Sequence, residues 1–133
     1  MKDLVLDSTL TIGIDEIDDD HGKLINLFNI LNHSVTEGAA TEYVAAVLEE
    51  LINCTAWHFS HEERLMLKYG YDAYEEHKAD HQDLIDGVKE LQQKFLQTGK
   101  LDKKEHLEFL ERWLTEHILV DDIRLGSYLI AVM

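Results

Sequence analysis

Proline is absent from all 133 residues, so nothing in the chain carries the ring that breaks a helix interior. Cysteine is nearly absent: Cys54 is alone and cannot form an internal disulfide, which fits a reducing compartment and a small packed thiol. Basic residues are scarce, 12 Lys and Arg against 27 Asp and Glu, for a net charge of −15. A field of that sign repels phosphate backbones, and no nucleic-acid partner is expected. No apolar run approaches the roughly 20 residues that span a bilayer, and the opening segment MKDLVLDST lacks the basic-then-apolar order of a signal peptide. The expectation is a cytoplasmic protein with no membrane partner. Its length and 45% apolar content suit one domain, 1–133, with a sizeable core.

Glycine supplies the punctuation that proline does not. Gly38, Gly70, Gly99 and Gly126 each follow a helix-like stretch, as a C-terminal cap would, and Asp15, Thr41, Asp72 and Asp102 stand where the next helix would start. Asp72 and Asp102 have Glu75 and Glu105 three residues on, in capping-box spacing. The intervening loops are very short, which forces consecutive helices to run antiparallel. The expected fold is all-α, an up-down-up-down four-helix bundle over 15–126, with an N-terminal arm (1–14) and an apolar C-terminal tail (127–133) that caps the bundle or meets a partner.

Each expected helix carries a stripe of residues three or four apart, the spacing of a bundle seam. The stripes read His21, Leu24, Phe28, Leu31, Val35; Val44, Leu48, Leu51, Thr55, His58, Glu62, Leu65; His77, His81, Leu84, Val88, Leu91, Phe95; and Leu107, Leu110, Leu114, His117, Asp121. Polar residues thus take core positions on all four helices. Counted along an up-down bundle, they lie roughly 8–18 Å from the same end, in one layer. A buried layer of five imidazoles and one or two carboxylates needs hydrogen bonds or a metal to be tolerated. One core histidine is ordinarily structural, whereas five at one depth with carboxylates point to metal. Nitrogen-rich ligation suits iron, copper or zinc better than magnesium or calcium, and seven side chains exceed one tetrahedral ion, which implies two.

Other metal motifs fail on inspection. His61-Glu62-Glu63-Arg64-Leu65 begins like a zinc-protease helix but has Leu65 where the second histidine belongs, and no Glu-x-x-His of the carboxylate-rich di-iron bundles occurs. His33, His61 and His106 fall off the seams or away from the layer and are expected at the surface, with His61 close enough to Glu62 to support the site from outside.

Four motifs then resemble a known family. Gly13-Ile14-Asp15-Glu16-Ile17-Asp18-x-x-His21, His58-Phe59-x-x-Glu62-Glu63-x-Leu65-Met66, His77-x-x-x-His81 and Trp113-Leu114-x-x-His117-Ile118-x-x-x-Asp122 are similar, in order and spacing, to those of bacterial hemerythrins. The resemblance covers nearly the whole chain and implies a cofactor of two iron ions that binds O2 reversibly, in a protein that is not an enzyme. It implies that His77, His81 and His117 hold one iron and His21 and His58 the other, with Glu62, Asp122 and an oxo or hydroxo group as bridges. It therefore places the carboxylate at Asp122, where the seam periodicity favours Asp121. Ile25, Phe59, Trp113 and Leu114 are expected to wall the oxygen pocket. Leu6 and Leu125 stand where many relatives carry Trp or another aromatic residue, and Gly22, beside His21, weakens its helix by about 1 kcal/mol relative to Ala. A donor set with few carboxylates supports high-valent iron poorly, which favours a carrier over an oxygenase. The alternatives are an oxygen, redox or iron sensor, and an enzyme reducing peroxide or nitric oxide, for which Glu63 and His61 would serve a proton path.

Overall fold

The computed structural model describes Leu4 and residues 11–133, apart from the Leu119 side chain. Leu6 and most of the expected arm, residues 1–3 and 5–10, lie outside the described residues. Helix α1 spans Asp15–Thr36, α2 Thr41–Lys68 and α3 Tyr74–Thr98. Helix α4 runs over 103–132, with wide π turns at Lys103–Leu107 and His117–Asp122 joined to the α-helical pieces Glu108–Glu116 and Ile123–Val132. The short connections 37–40, 69–73 and 99–102 reverse the chain each time, which gives the expected antiparallel four-helix bundle. Helix α2 packs beside α1 and α3, and α4 returns beside α1. The Trp113 indole N–H donates to the Leu84 carbonyl at 3.0 Å and ties α4 to α3. Among the described residues there is no strand, and no helix is long and apolar enough to cross a membrane.

Two apolar clusters flank the level at which the polar residues meet. One contains Leu24, Phe28, Leu48, Leu51, Phe59, Leu110 and Leu114. The other, at the opposite side of that level, joins Ile12, Ile14, Ile17, Met66, Leu125 and Leu129. Ile17 lies one turn before His21 and Met66 one turn after Glu62, so this smaller cluster closes the end of the bundle over the polar layer. Leu125 is fully buried there, and half-buried Leu65 packs against the same cluster, at the edge of the layer that its stripe suggested it would face.

Helix starts differ from the sequence expectation at three of four places. The chain enters α1, α2 and α3 at Ile14, Ala40 and Ala73, none with a side-chain cap, so Asp15 and Thr41 are already helical and Asp72 lies in the preceding turn. Asp102 does cap: it accepts from the amides of Lys104 at 2.7 Å and Glu105 at 3.0 Å. The reciprocal bond expected of Glu105 is made by His106 instead, whose Nδ1 accepts from the Asp102 amide at 2.9 Å. At α1 the work of a cap falls to Asp18, whose carboxylate accepts from the amides of Ile12 (2.8 Å) and Gly13 (3.2 Å) and holds the end of the arm against the helix.

Gly126 does not end a helix. It sits inside Ile123–Val132 with Ile12 crossing over it: a Cβ at position 126 would lie 2.9 Å from both the carbonyl oxygen and Cβ of Ile12. The expected tail is therefore a continuation of α4, and it does cap the bundle: Leu129 is fully buried and the Tyr128 hydroxyl donates to the carbonyl of Tyr69 at 2.6 Å. Gly126→Ala should destabilise the fold by about 1–3 kcal/mol despite alanine's higher helix propensity, because a backbone carbonyl has to move. Gly87→Ala, whose Cβ would meet only Phe109 at 3.5 Å, should be neutral or stabilising. Urea unfolding of the two variants checks the contrast.

Candidate metal centre

The four helices bring His21, His58, Glu62, His77, His81, His117 and Asp122 into one buried layer. Their donor atoms form two groups, each within 4.8 Å throughout: Glu62, His77, His81, His117 and Asp122 in one, and His21, His58, Glu62 and Asp122 in the other. Both carboxylates belong to both groups, and each divides its two oxygens between them. Glu62 Oε1 faces Nε2 of His77 (2.9 Å) and His81 (3.1 Å), while Oε2 faces Nε2 of His58 at 2.8 Å. Asp122 Oδ1 faces Nε2 of His77 (3.1 Å) and His117 (3.0 Å), while Oδ2 faces Nε2 of His21 at 2.7 Å.

Several of these atoms touch without bonding. Nε2 of His21, His58 and His117, Oε2 of Glu62 and both oxygens of Asp122 are buried and make no hydrogen bond, although their neighbours lie close enough. Their lone pairs converge on shared space instead of on one another. Such orphaned polar atoms are costly unless a cation takes them, so the residues present fit a metal centre. A mixed imidazole and carboxylate donor set also suits iron.

Asp122 reaches this layer through a departure from regular helix. Residues five apart in an α-helix point about 140° apart, but the stretch His117–Asp122 is a π turn, with more residues per turn, which returns Asp122, five positions on, toward His117. Periodicity favoured Asp121 and is corrected here: Asp122 is fully buried at the centre, and half-buried Asp121 accepts from His117 Nδ1 at 3.3 Å.

Asp121 is one of three carboxylates that orient an imidazole from behind. Glu63 takes Nδ1 of His81 at 2.9 Å, and Asp20 takes Nδ1 of His58 at 3.0 Å. Each bond turns Nε2 toward the centre and fixes the tautomer. Asp20 went unnoticed in the sequence because an acidic residue at a helix start reads as solvated; its position next to His21 was the available signal. Of the three histidines expected at the surface, His33 is exposed, His106 caps α4, and His61 is half-buried with its Nδ1 2.6 Å from Asp20.

Beside the centre is a small apolar cavity, about 10 Å³ as the space open to the centre of a water-sized sphere. His21, His58 and His117 border it, and its walls include Leu24, Phe59, Trp113, Leu114 and Ile118. Three of the four expected wall residues are present. Ile25 is buried in the core but does not line the cavity, and Leu24, one residue closer to His21 along the same helix, does.

Electrostatics in the metal-free chain follow from the same contacts. Burial opposes the charged form of His77, but Asp122 and Glu62 outweigh it and raise its pKa to about 9; for His117, burial is outweighed by Asp122 and Asp121, and the pKa rises to about 10. Burial, and each other's charge in the case of Glu62, opposes ionisation of the two carboxylates, yet the histidines around them hold Glu62 and Asp122 well below the usual range. Protons thus occupy part of the role of metal cations. His77 and His117 contribute stability that is full below pH 6.5, shrinks as pH rises and is gone above about 9 and about 10, and His21 and His58, raised by the same carboxylates, add to it in the same direction. The metal-free protein should therefore melt at a lower temperature at pH 10 than at pH 7. Metal loading should flatten that decline, since a bound imidazole is already neutral. Thermal unfolding followed by circular dichroism across this range, with and without metal, checks both.

Comparison with known proteins agrees with this geometry. The family model described as the hemerythrin HHE cation binding domain matches residues 12–128. The bacteriohemerythrin of Pseudomonas paraeruginosa (strain DSM 24068 / PA7) is 37% identical over 122 residues, 92% of this chain and 78% of that protein. The bacteriohemerythrin of Stenotrophomonas maltophilia (strain R551-3) is 37% identical over 119 residues, 90% and 76% of the respective chains. A solved structure described as wild-type hemerythrin superposes with a TM-score of 0.83 at 28% identity, covering 92% of this chain and 93% of that one. The chain belongs to the hemerythrin family, whose domain binds oxygen at iron.

Proposed function

We propose that this protein binds O2 reversibly at a pair of iron ions, as a carrier or store. His77, His81 and His117 would hold one ion, His21 and His58 the other, and Glu62 and Asp122 would bridge them. The observation that carries this reading is the position of the cavity: it borders both histidines of the four-member donor group, His21 and His58, and only His117 of the three in the five-member group. The fewer protein donors an ion has, the more room it keeps for an external ligand.

Bound iron would supply the electrons that O2 takes up on binding and returns on release. The protein's part is to hold the rings and keep water away. Asp20, Glu63 and Asp121 fix the imidazoles of His58, His81 and His117 from behind. Phe59 stacks on His81 with ring centroids 3.8 Å apart and planes within 3°, which limits rotation of that ring. Apart from the three imidazoles that face the centre, the cavity walls are Leu, Ile, Phe and Trp side chains, with no carboxyl or hydroxyl to deliver a proton. A dry pocket of this kind favours release of unchanged O2 over its reduction. A cytoplasmic location suits the single half-buried thiol of Cys54.

Anaerobic loading with Fe(II), metal analysis, and cycles of air and argon followed in the visible spectrum test the reading. The expected result is two irons per chain and a colour that comes and goes with O2. A reproducible single zinc would overturn the two-iron centre, and irreversible bleaching would overturn the carrier reading.

The neighbouring aspartates separate the bridging role from the orienting one. Asp122→Ala should markedly lower iron retention, because it removes a donor from both groups. Asp121→Ala should keep both irons and change affinity far less, since it removes only the bond behind His117. Iron content after gel filtration, with oxygen titration of whatever remains loaded, reports the difference.

A further inference from the structure

Helix α2 turns one side into the bundle and the other to solvent. On the outer side, residues seven apart fall nearly in line, since two turns of helix miss a seven-residue step by only about 20°. Tyr43, Glu50, Trp57 and Arg64 make such a column, and a second one beside it steps by seven from Ala46 to Leu67; all members of both are exposed. Trp57 stands near the middle and is 55% exposed, whereas the other tryptophan, Trp113, is 8% exposed. One exposed tryptophan alone needs no explanation. Its surroundings single it out.

The two columns hold one acid and one base, hence no net charge, on a chain of net −15 in which acidic surfaces repel their own copies. The order of the two charges matters as much as their sum. Glu50 and Arg64 stand two turns before and two turns after Trp57, and among the described residues neither has an ion-pair partner in its own chain. A two-fold axis through Trp57 would set two α2 helices antiparallel and put Glu50 of each copy opposite Arg64 of the other. A parallel pairing would set glutamate against glutamate and arginine against arginine. The indole is also braced in advance: His61 lies against it with ring centroids 5.3 Å apart, and His61 Nδ1 is itself held 2.6 Å from the buried Asp20 carboxylate. Bracing of this kind lowers the ordering cost of a contact. Ala46 and Ser60, on the second column, are small enough to let another helix come close beside it.

We propose that this face of α2 is the interface of a symmetric dimer, with a second copy of the chain seated antiparallel on it, the two Trp57 indoles meeting at the axis and a Glu50–Arg64 pair on either side. An aromatic anchor at the centre of a patch, ringed by polar side chains, is the usual arrangement of such contacts. The interface is one helix face wide, at the small end of specific contacts, and its expected dissociation constant is about 10–100 μM. The pairing uses none of the seven central residues and stands independently of the oxygen reading.

Sedimentation equilibrium of the full chain, metal-loaded and metal-free, from about 1 μM to about 1 mM tests the dimer. The expected result is a reversible monomer–dimer equilibrium. Trp57→Ala should raise the dissociation constant about tenfold or more. Glu50→Arg and Arg64→Glu should each weaken the dimer severalfold, because each sets like charges opposite one another at both ends. The double variant Glu50→Arg with Arg64→Glu should recover it, a pattern that neither misfolding nor a parallel pairing gives. Leu96→Ala, at a side chain 61% exposed on α3, should leave the equilibrium unchanged. A parent that stays monomeric throughout, as it would if this face served some other partner, overturns the dimer. A dimer that Trp57→Ala leaves intact, or a double variant as weak as its worse single one, overturns the interface.

Discussion

Seven polar side chains buried at one level of an apolar core are the constraint to which the rest of this bundle answers. Hydrophobic burial can hold four amphipathic helices together at any register, but a buried imidazole or carboxylate without a partner costs more than the contacts around it return. Their positions are satisfied only when all four helices stop at the same depth. Glu62 and Asp122 then act as the common reference: each reaches both groups of histidines, so a shift of α2 or α4 by one turn would strand five rings at once. The apolar clusters on either side seal that level from water, and the N-terminal arm completes the seal at one end by crossing α4 at Gly126.

The same constraint explains where the helices are irregular. A continuous α-helix through His117 would present Asp121 to the layer and turn Asp122 away. The π turn reverses this, giving the centre the deeper carboxylate and leaving its neighbour to hold the ring of His117 from outside. Two adjacent aspartates thereby take two different tasks. π turns in helices commonly mark functional positions, and this one adds a reason for it: an extra residue in the turn is the simplest way to put consecutive side chains on opposite sides of one histidine.

How much of this was legible in the sequence depended on how local each cause is. The four helices and the common depth of the histidines follow from three- and four-residue spacing and short loops, which are properties of the chain itself. The place of Asp122 was not legible from periodicity, since a fixed 100° step cannot anticipate a π turn, and it was reached through resemblance. Gly126 looked like a terminator because a glycine required by a crossing backbone and a glycine required by a left-handed cap read alike until the crossing segment is known. Asp15, Thr41 and Asp72 are good capping residues that do not cap, because packing, not propensity, sets where the first turn begins. Asp20 was missed for a related reason: burial of a charge next to His21 is decided by what α2 places opposite it, here His58 and His61.

The two donor groups are unequal, and that inequality gives the centre a direction. On the side of His77, His81 and His117, three rings and two carboxylates close around the shared space. On the side of His21 and His58 there are only two rings, and both border a cavity that His117 alone touches from the other group and whose remaining walls are hydrocarbon and aromatic. An entrant there can gain no hydrogen bond from the walls and must shed its hydration to pass them, so charged and strongly hydrated species are disfavoured while a small apolar gas loses little. Under the oxygen-binding function proposed above, selectivity for such a gas needs no recognising group: it would follow from one side of the centre having fewer protein donors and from an approach lined with apolar groups.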